Sequence, residues 1–202
     1  LRHDKTEFFK EFENDLLSAD LTNDNAEIAL QRYIRKLGQV ADLKIASIFH
    51  QKESDIDLLH VIAHTHDNPP VYFYRTFDLI TSRWTGWERI DTEIESDHAV
   101  PWIYNRRLHL FWITFIEKPI KISKLPPFNT SATGEDAPVP PMMLEIQLAW
   151  TTRTRDGWQA GTLSKKKLIH PWQRPRFSYN IKPRYKAYDN TLLIDLYITT
   201  SK

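Results

Sequence analysis

Cysteine is absent from the 202 residues, which excludes disulfide scaffolds, cysteine zinc sites, iron–sulfur clusters and thiol nucleophiles together. Its absence does not fix a compartment. Glycine is scarce, 5 residues against 12 prolines, and neither G-x-G-x-x-G nor G-x-x-x-x-G-K-[ST] occurs, so nothing points to a phosphate-cradling nucleotide fold. No apolar run approaches the roughly 20 residues of a membrane span. The chain starts at Leu1 without Met or a basic-then-apolar leader, and reads as a piece of a longer polypeptide. What is present is a folding composition. It is 41% apolar and 26% charged, with 7 Trp, 8 Tyr and 10 Phe, far too aromatic for a disordered tail.

The net charge of +1 is unevenly placed. Residues 1–42 carry 6 Lys and Arg against 9 Asp and Glu, a net of −3; residues 151–202 carry 11 against 3, a net of +8. A basic segment of this kind is either a solvated face or a docking surface for an acidic partner. Nucleic acid is disfavoured, because no aromatic RNA-recognition motif or readable recognition helix accompanies the charge.

Residues 1–42 read as a helical hairpin. Phe8, Phe9, Phe12, Leu16 and Leu17 recur at helical spacing behind a candidate N-cap, Thr6. A second helix begins near Asn23 or Asp24, with Ile28, Leu30, Tyr33, Ile34, Leu37 and Val40 as its apolar stripe. Both stripes are expected to be ordinary core. The link around Leu21 and Thr22 is short enough for an antiparallel pair.

From Leu43 the period changes to two. Ten strands are expected: 43–51, 56–65, 71–78, 87–92, 98–104, 108–117, 143–152, 158–163, 177–187 and 192–200. The run 108–116 is apolar on both faces and should lie inside a sheet. In 143–152, Leu144, Ile146, Leu148 and Trp150 face one way, and Glu145, Gln147 and Thr151 the other. A proline-rich insertion at about 117–142 divides this β region, 43–202. Its two halves resemble each other. Trp87 and Trp158 lie 71 residues apart and Tyr72 and Ile146 lie 74 apart, an offset expected of repeated blade-like antiparallel sheets. The fold class is therefore mainly β with an N-terminal helical pair.

Four constellations bear on chemistry. Asp91, Glu93, Glu95 and Asp97 alternate along one extended segment; glycosidases need two flanking carboxylates, and a solvated strand face reads the same way. Arg106 and Arg107 supply one arm of a sialidase-type clamp, and Asp156-Gly157-Trp158 faintly resembles a sialidase blade turn. No third arginine or poised tyrosine is recognisable. His60, His64 and His66 share a parity, which suits a strand-end polar cluster, a zinc pair or a pH sensor. Among the tryptophans, Trp84, Trp87 and Trp158 sit at turns where they either stack on sugar rings or fill core.

The order and spacing of several phrases carry a more specific signal. They are Asp4-Lys5-Thr6-Glu7-Phe8-Phe9-Lys10-Glu11-Phe12, Leu21-Thr22-Asn23-Asp24-Asn25, Asp57-Leu58-Leu59-His60-Val61, Val71-Tyr72-Phe73-Tyr74-Arg75, Trp84-Thr85-Gly86-Trp87-Glu88-Arg89, Asn105-Arg106-Arg107-Leu108 and Glu145-Ile146-Gln147-Leu148. Through most of residues 1–150 the chain resembles the neuraminidase-like domain of bacterial toxin-complex A components, the pore-forming subunits of insecticidal toxins. The resemblance implies a sialidase-like, propeller-like β fold that acts without a sialidase site or a cofactor. It implies a part of a secreted or cell-surface homopentamer, a shell domain opened by a pH change before the parent pore enters a membrane, and a B–C cocoon as partner of the whole assembly. Under it, His60, His64 and His66 are the candidate pH sensors. Two other classes stay open: a module binding host cell-surface glycans through Trp84, Trp87 and Trp158, and a sialidase-like glycosidase.

Overall fold

Thr6 and Thr22 start two helices by accepting orphan amides of their first turns. Thr6 Oγ1 takes the Phe9 N–H at 3.3 Å and begins α1 (Glu7–Ser18); Thr22 Oγ1 takes the Asn25 N–H at 3.3 Å and begins α2 (Asn23–Ala41). The structure is a computed structural model and describes residues 5–18, 22–96, 98–119, 142–171 and 175–199. The proline-rich stretch over 120–141, the link residues 19–21, Asp97 and Trp172 lie outside the described residues.

The helices meet through rings: Phe12 stacks on Tyr33 at 5.1 Å and Phe9 approaches Tyr33 edge-on at 6.0 Å. Glu11–Lys36 and Asp15–Arg32 ion pairs tie them further. Phe8 turns the other way, edge-on to Phe73 of the β region at 6.5 Å. The stripe of α2 is not core, contrary to its period. Ile34 is 58% exposed and Ile28 47%, with Leu30 and Leu37 exposed as well. A helix pair has one mutual interface, and Phe9, Phe12 and Tyr33 fill it, so the rest of the stripe faces outward.

Among the described residues the β region forms three antiparallel sheets in chain order. The first joins β1 (Lys44–Lys52), β2 (Asp57–His64) and β3 (Tyr72–Asp78) as a meander, with β4 (Arg83–Trp84) and β5 (Glu88–Arg89) returning onto β3. The second repeats that plan with β6 (Ala99–Tyr104), β7 (Arg107–Pro119) and β8 (Met142–Thr154). Here β9 (Gly157–Trp158), β10 (Thr162–Leu163) and β11 (Leu168–Pro171) return onto β8. The third is the hairpin β12 (Tyr179–Lys186) and β13 (Thr191–Ile198). No closed propeller is present among the described residues.

The 71-residue offset therefore has a topological basis. Trp87 precedes β5 and Trp158 lies in β9, each on a segment returning to the third strand of its sheet. Period-two reading overran short ladders: 87–92 yields only β5, 158–163 splits into β9 and β10, and β4 and β11 were not foreseen. Pairings of two to four residues are too short to show a period.

The second sheet is the middle layer. One core cluster, including Ile62, Tyr72, Tyr74, Leu110 and Trp112, lies between it and the first sheet. The other, including Phe111, Ile113, Leu144, Ile146 and Ile181, lies between it and the hairpin. The run 108–116 is thus buried on both faces along most of β7, although Ile116 is exposed. The β6–β7 turn holds Asn105 and Arg106 at φ of 49° and 58°, the pattern of a type I′ hairpin turn.

Candidate functional site

The two large sheets open at one end, where β5 and the β6–β7 and β8–β9 turns converge. Register fixes the groups there. Glu88 pairs with Tyr74, so both side chains face the second sheet, whereas Arg75 faces away. Arg153, near the end of β8, reaches across. Its Nε donates to Glu88 Oε2 at 3.1 Å and its Nη2 at 2.8 Å, and its guanidinium sits 5.3 Å from the centre of the Tyr74 ring.

Tyr74 continues the network inward. Its hydroxyl lies 2.8 Å from His60 Nδ1, and His60 Nε2 lies 3.0 Å from Gln51 Oε1. Because the Gln51 oxygen only accepts, Nε2 carries the proton and Nδ1 accepts from Tyr74, the neutral imidazole. Burial, helped by the Arg153 charge, pushes His60 down to about 4. Burial pushes the Tyr74 phenol up. Trp158 stands edge-on to Tyr74 at 5.4 Å, and its Nε1–H is buried without a hydrogen-bond partner.

The three histidines are not one cluster. His60 and His64 share a face of β2, but each is committed to its own partner, His64 through Nδ1 to the Thr65 carbonyl at 2.7 Å. His66 lies beyond the strand, exposed, with Nε2 3.7 Å from an Asp42 carboxylate oxygen. Among the described residues no group of three His, Asp or Glu side chains is placed to hold a metal.

The tryptophans separate likewise. Trp84 and Trp87 flank the Arg75 guanidinium at 3.9 and 4.2 Å, and Trp84 also packs on Phe77 at 4.7 Å. Trp158 lies on the opposite face of β3, so the three do not make one platform for a sugar. The acidic row divides as well. Asp91 is 3.5 Å from Arg89, while Glu93 and Glu95 line a different cleft near His98 and Arg176. These acids are exposed around the buried Ile94.

Two clefts flank the Glu88–Arg153 pair, of about 680 and 790 Å³. The larger brings Arg106, Arg107, Arg153 and Arg155 to one opening. Sequence reading singled out Arg106 and Arg107 and missed Arg153 and Arg155. The signal was Arg153-Thr154-Arg155 beside Asp156-Gly157, which places Arg153 near the end of β8 and Arg155 in the turn that follows. Glu88 and Tyr74 carried no motif of their own.

Three stacked antiparallel sheets with a helical pair define the class of domain, and the family follows from comparison. A family model described as "Neuraminidase-like domain" matches residues 43–196, and the chain belongs to that family. It is 29% identical over 133 residues to the "Toxin subunit YenA2" of Yersinia entomophaga, a match covering 58% of this chain and 10% of that protein. Two cryo-EM structures share the fold over 100% of this chain. The Morganella morganii TcdA4 structure has a TM-score of 0.70 at 20% identity and is covered over 8% of its chain. The Yersinia pseudotuberculosis TcaA-TcaB structure has a TM-score of 0.58 at 19% identity and is covered over 10%. The chain thus spans about a tenth of each relative.

Proposed function

We propose that this chain is a non-catalytic shell domain of a secreted toxin-complex A subunit, with residues 1–42 as a helical hairpin and 43–202 as a propeller-like β domain. The observation that carries the reading is the outward apolar face of α2, together with exposed Ile45 and Ile48 of the edge strand β1, within a chain whose match covers 10% of a much longer toxin subunit. An apolar face of that kind suits a piece docked in a larger body. Its partners are the remaining domains of the same subunit and its copies in a homopentamer; the B–C cocoon belongs to the whole assembly, and the membrane is reached only through the parent pore.

The site supports the absence of turnover. Glu88 and Arg153 neutralise each other, and the His60 imidazole is occupied by Tyr74 and Gln51. In this reading acid opens the shell by protonating histidines, among them His60, His64 and His66, and then carboxylates. Glu7, Glu11, Glu13 and Asp15 pair with Lys10, Lys36, Lys5 and Arg32, and Asp42 with His66, so attraction between the acidic helices and the basic C-terminal segment would act between subunits. Replacing all three histidines with Gln in the full assembly should shift the acid threshold for pore formation, and an unchanged threshold removes them as sensors. A fluorogenic sialoside should stay uncleaved by the 202-residue chain; a rate abolished by Arg107→Ala would overturn the non-enzymatic reading.

A further inference from the structure

We infer that the free edge of β13 receives an extended strand of the parent subunit, apolar at alternate positions, laid antiparallel beside the groove between the hairpin and the second sheet. This rests on the reading of the chain as one domain of a larger subunit and adds a specific contact within it.

The repeated plan is the first observation. In each of the first two sheets the second strand is paired on both sides, β2 between β1 and β3, and β7 between β6 and β8. The third sheet starts the same way, with β12 lying against β6 and β7. Among the described residues it stops at its second strand, so the place of a third strand along β13 is open.

The incomplete cover is the second observation. Ile90, beside β5, is 2% exposed between the first two sheets, where strands face strands across the full width. Leu168 pairs with Ile146 and so faces the hairpin layer, yet it is 57% exposed. A groove of about 220 Å³ lies there, walled by Ile146, Leu148 and Leu168 of the second sheet and by Ile194 and Leu196 of β13. Alternate apolar side chains of a strand beside β13 would fill it and take these walls out of water.

The edges are the third observation. The Thr199 N–H donates to the Ser178 carbonyl at 2.8 Å. Bonded pairs alternate along an antiparallel ladder, so Leu193, Asp195 and Tyr197 bond to β12, while Leu192, Ile194 and Leu196 aim their N–H and C=O groups at the free edge. On the opposite edge Pro183, across from Ile194, lacks the N–H that a partner strand would need. One edge is therefore blunted and the other open, and the open one borders the apolar groove. Lys166 at its rim forms no ion pair among the described residues, which suits an acidic residue on the incoming strand.

Amide exchange along β13, read residue by residue in the 202-residue chain and in the parent toxin subunit, tests the inference. In the 202-residue chain Leu192, Ile194 and Leu196 should exchange at least about tenfold faster than Leu193, Asp195 and Tyr197; in the parent both sets should be slow. Alternation that persists in the parent would overturn the inference, and if α2 is protected there the domain reading still stands. Slow exchange of all six amides already in the 202-residue chain would show the edge filled from within it and would also overturn the inference. Ile194→Pro removes an outward N–H and no hairpin bond, so in the parent it should bring back fast exchange at Leu192 and Leu196. Slow amides at Leu193 and Tyr197 report that the hairpin is intact in that variant, and Ile198→Pro at the strand end replaces it if they are lost. Undiminished protection of Leu196 with an intact hairpin would count against strand pairing.

Discussion

The centre of β7 and the exposed side of α2 present equally apolar sequence and opposite fates. Leu110, Trp112 and Ile113 lie between sheets, with Leu110 fully buried; Ile34, one helical stripe among several apolar residues, is 58% exposed. The difference lies in what stands opposite. A middle sheet has a layer on each face, whereas a two-helix pair has a single internal seam, which aromatic rings already fill. Periodicity reports that a face is apolar and leaves open whether its cover belongs to the same chain.

Truncation should separate the two regions most sharply. Leu110→Ala should cost about 2–5 kcal/mol in urea unfolding, the range for an enclosed leucine that leaves a cavity. Ile34→Ala, already in water, should cost under about 0.5 kcal/mol. Equal losses would place the α2 stripe in the stability core of this chain and dissolve the contrast.

A smaller effect concerns the buried polar network beside that core. His60 is neutral in the fold, with its titration depressed from 6.5 to about 4. Between those values the unfolded chain binds the proton that the folded chain refuses, so stability is complete above pH 6.5 and falls as the pH drops toward 4. The loss should be on the order of 1–2 kcal/mol, reduced by partial solvent access to the ring. Unfolding free energies at pH 7 and pH 4.5 should converge in His60→Gln relative to wild type; an identical drop in both would remove His60 from the acid response. Glu145, held below the usual carboxylate range by hydrogen bonds from Lys118 and Lys167, contributes its own loss only at lower pH.

The smallest effect belongs to the helical pair. Thr22→Ala removes the acceptor for the Asn25 N–H and should cost about 0.5–1 kcal/mol, read as faster amide exchange in the first turn of α2 with β7 and β8 unchanged. Faster exchange across the sheets would mean that helices and sheets unfold as one unit.

Much of this architecture was legible in the sequence for reasons visible in particular residues. Thr6 sits where a cap must sit, the alternation of Leu144, Ile146, Leu148 and Trp150 fixes a face of β8, and the run of β7, apolar on both faces, marks an interior strand; Thr22, read as part of the link, is the cap of α2. Short returning strands escaped, since Arg83–Trp84 and Leu168–Pro171 are held by neighbours and carry no pattern of their own. The site was less legible. Arg106 and Arg107 stood out as adjacent arginines, but their convergence with Arg153 and Arg155 depends on the β7–β8 pairing, which brings two hairpin turns to the same end of one sheet. Equal parity suggested that His60, His64 and His66 act together, yet β2 ends at His64 and leaves His66 in solvent.

Amide hydrogen exchange over α2, measured in the 202-residue chain and again within the parent toxin subunit, tests the docking claim most directly. Protection along Ile28–Leu37 should rise by at least about tenfold in the parent, as the apolar face is covered, while protection at Leu110–Ile113 stays as it is. Equal protection of α2 in both forms would contradict it.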